Sequence, residues 1–279
     1  LRCWAEQLQS SSDSARLDAE ILFKHASGLD DIQLITRDRE PLEASLLARV
    51  DALIDKRRQG LPVAHLTGQR EFYSLPLKID EQVLIPRPET ELLVDTVLEK
   101  ISGVASPRIL DLGTGSGAIS LAIARHAPQA LILACDSQEH ALKIARQNAR
   151  DHRLENIRFL LSDWYEQLRP GNRFDLIASN PPYIDPRDIH LEQGDLRFEP
   201  RSALVSGEHG FADLRCIIEG APAYLAAGGY LVLEHGYDQG SGVRQLLLDQ
   251  GFTDTCTLQD LNRLDRVTLA QKGPADPSS

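Results

Sequence analysis

Arg108-Ile109-Leu110-Asp111-Leu112-Gly113-Thr114-Gly115-Ser116-Gly117-Ala118 joins an apolar run, a glycine-rich turn and the start of a helix. Glycines there permit a tight turn and let a ligand lie against the backbone. Asp136 ends the next apolar run, 23 residues after Gly113 (136 − 113). A carboxylate at that place accepts hydrogen bonds from both hydroxyls of a ribose. Alone, each feature is a structural glycine turn or an incidental acid. Strand, turn, helix and distal acid together define a nucleoside site at the carboxyl edge of a parallel sheet.

Downstream the pattern repeats. Short apolar runs recur at Arg108–Leu112, Leu131–Cys135, Ile157–Leu161, Phe174–Ala178 and Tyr230–Leu233. Helical segments Gly117–His126, Ser137–His152 and Gly210–Ala226 lie between most of them. Such alternation implies a parallel sheet covered on both faces. Phe252–Leu258 and Arg266–Ala270 have too short a connection for a parallel crossover, so this last pair is expected to be antiparallel.

Upstream, Leu17, Ile21 and Leu22 fall on one face of a helix over Ser14–Ser27, with Gly28 as its stop. A second helix follows Pro41, with Leu42, Leu46, Leu47, Val50, Leu53 and Ile54 at helical spacing, and ends at Gly60. Glu71–Ile85 alternates loosely and contains Pro76 and Glu81-Gln82, which reads as a β-hairpin between two domains. Pro88 suits the first turn of a helix running to Ile101. The expected organisation is therefore a helical domain over 1–70, a hairpin linker over 71–87 and an α/β domain over 88–271. A Gly/Pro/Ser-rich tail over 272–279 is expected to be disordered.

Composition excludes several classes. The 279 residues suit one large domain and a small one, and 42% hydrophobic with 25% charged residues is ordinary globular usage. A net charge of −11 leaves no basic stripe for phosphates. The densest basic cluster, Lys56-Arg57-Arg58, ends a helix, where cations meet the dipole. No stable nucleic-acid binding is expected. Cys3, Cys135, Cys216 and Cys256 are far apart and the eight histidines are scattered, so no metal is expected and a reducing cytoplasm suits the chain. No apolar run is long enough to span a bilayer, and Leu1–Ser12 lacks the parts of a signal peptide. The chain has no methionine, even at position 1, and is read as trimmed, engineered or lacking positions.

Charge also selects the nucleoside. Gly113, Gly115 and Ala118 satisfy the looser dinucleotide fingerprint. Asp111, two residues before the turn, would oppose a pyrophosphate there and favours S-adenosylmethionine, which carries a sulfonium and an ammonium. No phosphate-binding G-x-x-x-x-G-K-[ST] loop is present.

A second constellation follows Phe174–Ser179: Asn180-Pro181-Pro182-Tyr183, on the same carboxyl edge. An amide nitrogen is a poor nucleophile because its lone pair is delocalised. Turning its N–H groups toward two acceptors aims it for in-line attack on a sulfonium methyl. The Asn180 side-chain oxygen and the Pro181 carbonyl are suitable acceptors. The paired prolines stiffen the backbone and remove competing donors. Tyr183 offers a flat face to a planar amide or base.

With these motifs, the sequence resembles the HemK/PrmC-type N5-glutamine methyltransferases that act on class-1 peptide-chain release factors. The resemblance runs from Asp18-Ala19-Glu20-Ile21-Leu22 to Arg266-Val267-Thr268-Leu269. Asn-Pro-Pro-Tyr is shared with adenine-N6 DNA methyltransferases. More specific are Pro62-Val63-Ala64-His65-Leu66-Thr67-Gly68, Leu84-Ile85-Pro86-Arg87-Pro88-Glu89-Thr90-Glu91 and Arg197-Phe198-Glu199-Pro200. The resemblance implies an α/β fold: a Rossmann-like, seven-stranded class I methyltransferase sheet with a small N-terminal helical domain that docks the protein substrate. It implies that Asp111, Gly113, Thr114, Gly115, Ser116, Gly117, Asp136, Asp163, Trp164 and Asn180 bind S-adenosylmethionine, with S-adenosylhomocysteine as product. Asn180, Pro181 and Tyr183 would be catalytic, and these with Pro182, Arg87 and Glu89 would hold the glutamine of a Gly-Gly-Gln loop. The enzyme is expected to act as a monomer.

Ser116 stands where many members of that family have Thr, and Arg263 falls in the Asp260–Arg266 segment, where they commonly carry Gly. Two readings stay open for Arg87 and Glu89, substrate contact or a pair capping the helix at Pro88, and for Trp164, adenine wall or packing residue. His65 and His235 are read as structural. The competing function is an adenine-N6 nucleic-acid methyltransferase, which would have to pull its base from the stack. A dinucleotide oxidoreductase and a non-catalytic cofactor-binding module stand behind it.

Overall fold

A computed structural model describes residues 1–36 and 40–273, which form two compact units. One comprises Leu1–Gln69 together with Ile189–Phe198. It contains α1 (Arg2–Leu8), α2 (Ala15–Ser27), α3 (Asp31–Thr36), α4 (Ala44–Arg58) and α5 (Val63–Thr67). Their core is Trp4, Leu8, Ala19, Leu22, Phe23, Val50 and Ile54. Gly28 ends α2 in the left-handed conformation, its N–H bonded to the Lys24 carbonyl at 2.8 Å.

Of the three apolar residues expected on one face of α2, Leu22 is buried and Leu17 is not. Leu17 is 56% exposed, whereas Asp18, Ala19, Leu22 and Phe23 are buried. The reason is a polar anchor. Asp18 turns inward and accepts bonds from Ser12 and Ser14 (2.7 and 2.8 Å) and from Arg57 Nε at 2.7 Å. Arg57 also reaches Asp195 at 3.0 Å and the Leu61 carbonyl at 3.1 Å. One of the three cations ending α4 is therefore an internal tie. On α4, Val50 and Ile54 are fully buried while Leu47 stays exposed, as does Leu42 before the helix. Gly60 is required where it stands. Its φ is +96°, and a Cβ would lie 1.7 Å from the Arg197 guanidinium.

The other unit comprises Arg70–Asp188 and Glu199–Ser279. A hairpin of β1 (Gln69–Phe72) and β2 (Leu75–Lys78) is shorter than the expected segment 71–85. The end of β2 is held by Asn148, whose side chain accepts the Lys78 N–H and donates to the Lys78 carbonyl, at 2.8 and 3.0 Å. A 3₁₀ turn at Pro88–Thr90 leads into α6 (Glu91–Lys100). Then come β3 (Arg108–Leu112), α7 (Ala118–His126), β4 (Leu131–Asp136), α8 (Glu139–Asp151), β5 (Ile157–Leu161) and β6 (Phe174–Ser179). After a short turn, α9 (Gly207–Gly210), the chain continues through α10 (Ala212–Tyr224), β7 (Leu225–Glu234), α11 (Gly240–Asp249), β8 (Phe252–Gln259) and β9 (Asp265–Lys272). Strand β9 includes Lys272, the first residue of the expected tail; residues 274–279 lie outside the described residues.

The large sheet has the order β5-β4-β3-β6-β7-β9-β8, parallel except for β9, which pairs antiparallel with both β7 and β8. Alternation along the strands divides the core. Ile109, Leu176 and Ala178 join one apolar cluster with α6 and α7 residues; Leu110, Leu112, Ile177 and Leu231 join another with α10 and α11. From β3 the chain moves outward to β4 and β5, then returns to β6 on the other side of β3. That reversal makes the carboxyl ends of β3 and β6 a topological switch point, the place where open α/β sheets bind ligands.

Candidate active site

Both motifs read from the sequence leave the sheet at that switch point. Leu112 pairs with Cys135 on one side and Ser179 on the other. Ser179 Oγ donates to the Leu112 carbonyl at 2.7 Å, binding the two strand ends together. The glycine turn is then closed by Gly117 N–H to the Thr114 carbonyl (2.8 Å) and by Thr114 N–H to the Cys135 carbonyl (2.9 Å). Gly113, Gly115 and Gly117 all have positive φ.

The structure brings Gly113, Gly115, Asp136, Asp163, Trp164, Asn180 and Pro182 onto one cleft. Asp136 is held from behind: Oδ2 accepts the Gly115 N–H at 2.8 Å and Oδ1 the Gln138 N–H at 2.9 Å. Burial raises its pKa, and these backbone donors oppose the rise. Trp164 is both a packing residue and part of the cleft wall. It packs against the Leu110–Leu231 cluster and lines the cleft, its ring 3.4 Å from where a Cβ on Gly113 would stand.

Thr114, Ser116, Gly117 and Asp111 do not line the cleft. Strand alternation turns Asp111 into the interior, where it is 0% exposed. Its Oδ2 accepts the Thr114 hydroxyl at 2.6 Å, and Oδ1 has no hydrogen-bond partner. Burial pushes its pKa up to about 6. It therefore holds the turn from behind, through Thr114, and does not reach the cleft.

Pro181, Tyr183, Arg87 and Glu89 also lie off the cleft wall. Arg87 does not pair with Glu89. It pairs with Glu199, whose other oxygen accepts the Ile85 N–H at 2.9 Å. Glu89 sits in the 3₁₀ turn, beneath which Thr90 accepts the Asn180 Nδ2 at 3.2 Å. The Tyr183 hydroxyl donates to Glu234 Oε1 at 3.2 Å, and burial pushes that phenol well above its ordinary pKa.

Glu234 escaped the sequence reading. It ends β7, one residue past Leu233, which pairs with Ser179. It is 1% exposed, Oε2 has no hydrogen-bond partner, and burial pushes its pKa up to about 7. The available signal was position: a carboxylate ending an apolar run, as Asp136 does on β4. His235 is committed elsewhere, with Nε2 at 2.7 Å from Thr268 Oγ1 and Nδ1 at 2.8 Å from the Gly236 carbonyl. Among the described residues no His, Cys, Asp and Glu cluster could hold a metal ion, and no helix is long and apolar enough to cross a membrane.

A seven-stranded sheet of this order, with a glycine turn and an acidic strand end at its switch point, defines a methyltransferase domain. Residues 88–196 match the family described as Methyltransferase small domain, and residues 1–68 match the PrmC N-terminal domain. The fold is similar to that of the hMettl16 catalytic domain solved in complex with the MAT2A 3'UTR hairpin 1 (TM-score 0.59, 17% identity, 77% of this chain and 80% of that one). In sequence the chain is 51% identical to Release factor glutamine methyltransferase of Burkholderia pseudomallei, over 95% of this chain and 94% of that protein. It is 46% identical to the protein of that name from Escherichia coli, over 97% of each. The chain belongs to the release factor glutamine methyltransferase family.

Proposed function

We propose that the chain transfers a methyl group from S-adenosylmethionine to the side-chain amide nitrogen of the glutamine in the Gly-Gly-Gln loop of class-1 peptide-chain release factors. The observation that carries this reading is the Asn180 amide. It stands on the cleft wall with Nδ2 engaged by Thr90, which leaves Oδ1 to accept a substrate N–H.

The residues fit the donor. The unpartnered, buried Asp111 Oδ1 puts negative charge behind the turn, which suits a cationic ligand and opposes a pyrophosphate. Asp136 would bind the ribose, Asp163 and Trp164 the adenine, and the backbone at Gly113 and Gly115 the remainder. When bound, S-adenosylmethionine supplies an electrophilic methyl group on a sulfonium. Asn180 Oδ1 and the Pro181 carbonyl hold the two glutamine N–H groups and so aim the nitrogen. No strong base is needed, because the proton becomes acidic once the nitrogen carries the methyl. Tyr183 and Pro182 border the amide, while Arg87, held by Glu199, supports the segment before α6.

The partner is the release factor, docked by the helical unit, with the enzyme acting as a monomer in the cytoplasm. The net charge of −11 supports a protein over a nucleic-acid substrate. The test is incubation with labelled S-adenosylmethionine and purified release factor, followed by peptide mass spectrometry. The methyl is expected on the Gly-Gly-Gln glutamine. Methyl on adenine in added nucleic acid, with none on glutamine, would overturn the reading in favour of an adenine-N6 methyltransferase.

A further inference from the structure

A glycine-rich turn has few side chains to hold its shape, so hydrogen bonds must hold it. Within the turn of Gly113–Gly117 one peptide is pinned at both of its polar atoms. The Gly117 N–H donates to the Thr114 carbonyl at 2.8 Å, and the Ser116 carbonyl accepts Asn148 Nδ2 at 2.9 Å. Asn148 stands on α8, which packs directly on the turn: a Cβ on Gly117 would lie 3.1 Å from that of Ala145. Ala141, Ala145 and Asn148 recur at helical spacing and are all buried, and Ala141 lines the cleft itself.

We propose that Asn148 is a positioning residue for the cofactor: it fixes the glycine turn and ties the order of that turn to the order of strand β2. Nδ2 donates to the Ser116 carbonyl and to the Lys78 carbonyl, at 2.9 and 3.0 Å, while Oδ1 accepts the Lys78 N–H at 2.8 Å. Both amide protons are thereby used, and the sense of the amide is fixed. Flipping it would set the oxygen against two carbonyls and the NH₂ group against an N–H. Asn148 is 1% exposed, so losing it would leave buried backbone groups unpaired. An ordered turn holds Asn148 through the Ser116 carbonyl, and Asn148 holds the backbone of Lys78. A ligand lying along Gly113 and Gly115 therefore steadies β2 as well. By reciprocity, an ordered β2 favours the ligand.

Further polar contacts between α8 and β2 lie at the surface. Lys78 Nζ pairs with Asp151 at 2.8 Å, and His152 Nε2 lies 2.8 Å from the Pro76 carbonyl. Exposed pairs of this kind add little, so the buried amide is the contact through which the coupling runs. Ser116 and Gly117, which do not line the cleft, gain a part in shaping it through the peptide that Asn148 holds.

The inference rests on S-adenosylmethionine as the cofactor, and the experiment separates the two. Full-length wild type, Asn148→Ala and Asn148→Asp are compared by calorimetry with S-adenosylmethionine, by kinetics on intact release factor and by urea unfolding. Hydrogen exchange is followed by NMR at the Lys78 amide and, as a reference, at the Arg108 amide, which Asp175 holds at the amino edge of the sheet. Both variants are expected to bind the cofactor about tenfold more weakly. The loss should fall on KM for the cofactor, with kcat at saturation changed by less than about twofold. In wild type, saturating cofactor should slow exchange at Lys78 about tenfold more than at Arg108, and the excess should vanish in the variants. A purely structural role would lower the urea midpoint alone. Folded variants with wild-type cofactor affinity would therefore overturn the inference. So would a wild-type Lys78 amide slowed no more than that of Arg108, which decides the matter even if both variants fail to fold. Wild type that does not bind S-adenosylmethionine overturns the parent reading instead.

Discussion

Buried carboxylates in this chain are of two kinds, and Asp18 of the helical unit and two acids of the sheet unit show the contrast. In the helical unit Asp18 is closed on every side by Ser12, Ser14 and Arg57, and Arg57 is held in turn by Asp195 and a carbonyl. In the sheet unit Asp111 and Glu234 are buried at least as deeply, yet each has an oxygen without a hydrogen-bond partner. Burial pushes both pKa values up, to about 6 and about 7. A satisfied buried charge fixes a shape. An unsatisfied one is a stored electrostatic potential, and both examples stand behind the two motifs of the active site. The difference teaches where to look for function: among the acids that the fold leaves incomplete.

The largest expected effect lies in the motifs those acids stand behind. Asn180→Ala removes the acceptor and should lower kcat by about 10²–10³, the loss usual for one preorganised polar contact at a reacting centre. Cofactor affinity should stay near wild type by calorimetry. Near-normal turnover would break the link between the incomplete acids and catalysis.

Next come two charge deletions that should act with opposite sign. Arg57→Met leaves Asp18 buried beside its serines without a counter-charge, and should cost about 3 kcal/mol in urea unfolding. Cofactor affinity should be unchanged. Asp111→Asn should instead stabilise the cofactor-free protein, by about 1–2 kcal/mol at pH 7. The sign follows from the folded pKa of about 6 against an ordinary value of 3.8. The native state holds that proton more tightly, so stability is lost as pH rises from about 4 to about 6. The gain from Asn should accordingly be full above pH 6 and vanish below pH 4. The same variant should bind S-adenosylmethionine more weakly. Equal destabilisation by both substitutions would erase the contrast between the units.

The parts of this design legible in the sequence are those with a local signature. Short apolar runs and the glycine turn marked β3 to β6, and the short connection before Arg266 marked the antiparallel end. Asp136 and Asn180 could be found because each follows an apolar run that must end at one edge. Helix α11 begins with Gly240 and Gly242, which weaken its helical signature. Leu17 was misplaced because three apolar residues at helical spacing outweighed Asp18, whose burial depends on Arg57 far along the chain. The contact of Tyr183 with Glu234 depends on strands β6 and β7 lying side by side, and no local pattern records that.

The smallest effect tests whether support for Glu234 extends beyond its own shell. The turn joining β8 to β9 holds Arg263 at φ +62°, a conformation that costs a residue with a Cβ about 1–2 kcal/mol. Asp260 compensates. Its Oδ1 accepts the Asn262 and Leu264 N–H groups at 2.8 and 3.1 Å, and its Oδ2 pairs with Arg266. Arg266 in turn faces Glu234, so the turn stands at the far end of the same electrostatic chain. A glycine at this position would carry no such strain. Arg263→Gly should therefore raise stability, though only by about 0.5–1 kcal/mol, since glycine also gains freedom in the unfolded chain. Thermal unfolding would show this as a rise of a few degrees at most, roughly 1–3 °C for a chain of this size. If the turn merely closes the sheet, kcat and its pH profile stay as in wild type. A shift of that profile near pH 7, where Glu234 titrates, in Arg263→Gly would show that the Asp260–Arg266 pair tunes Glu234, and would extend the incomplete site to the antiparallel edge of the sheet.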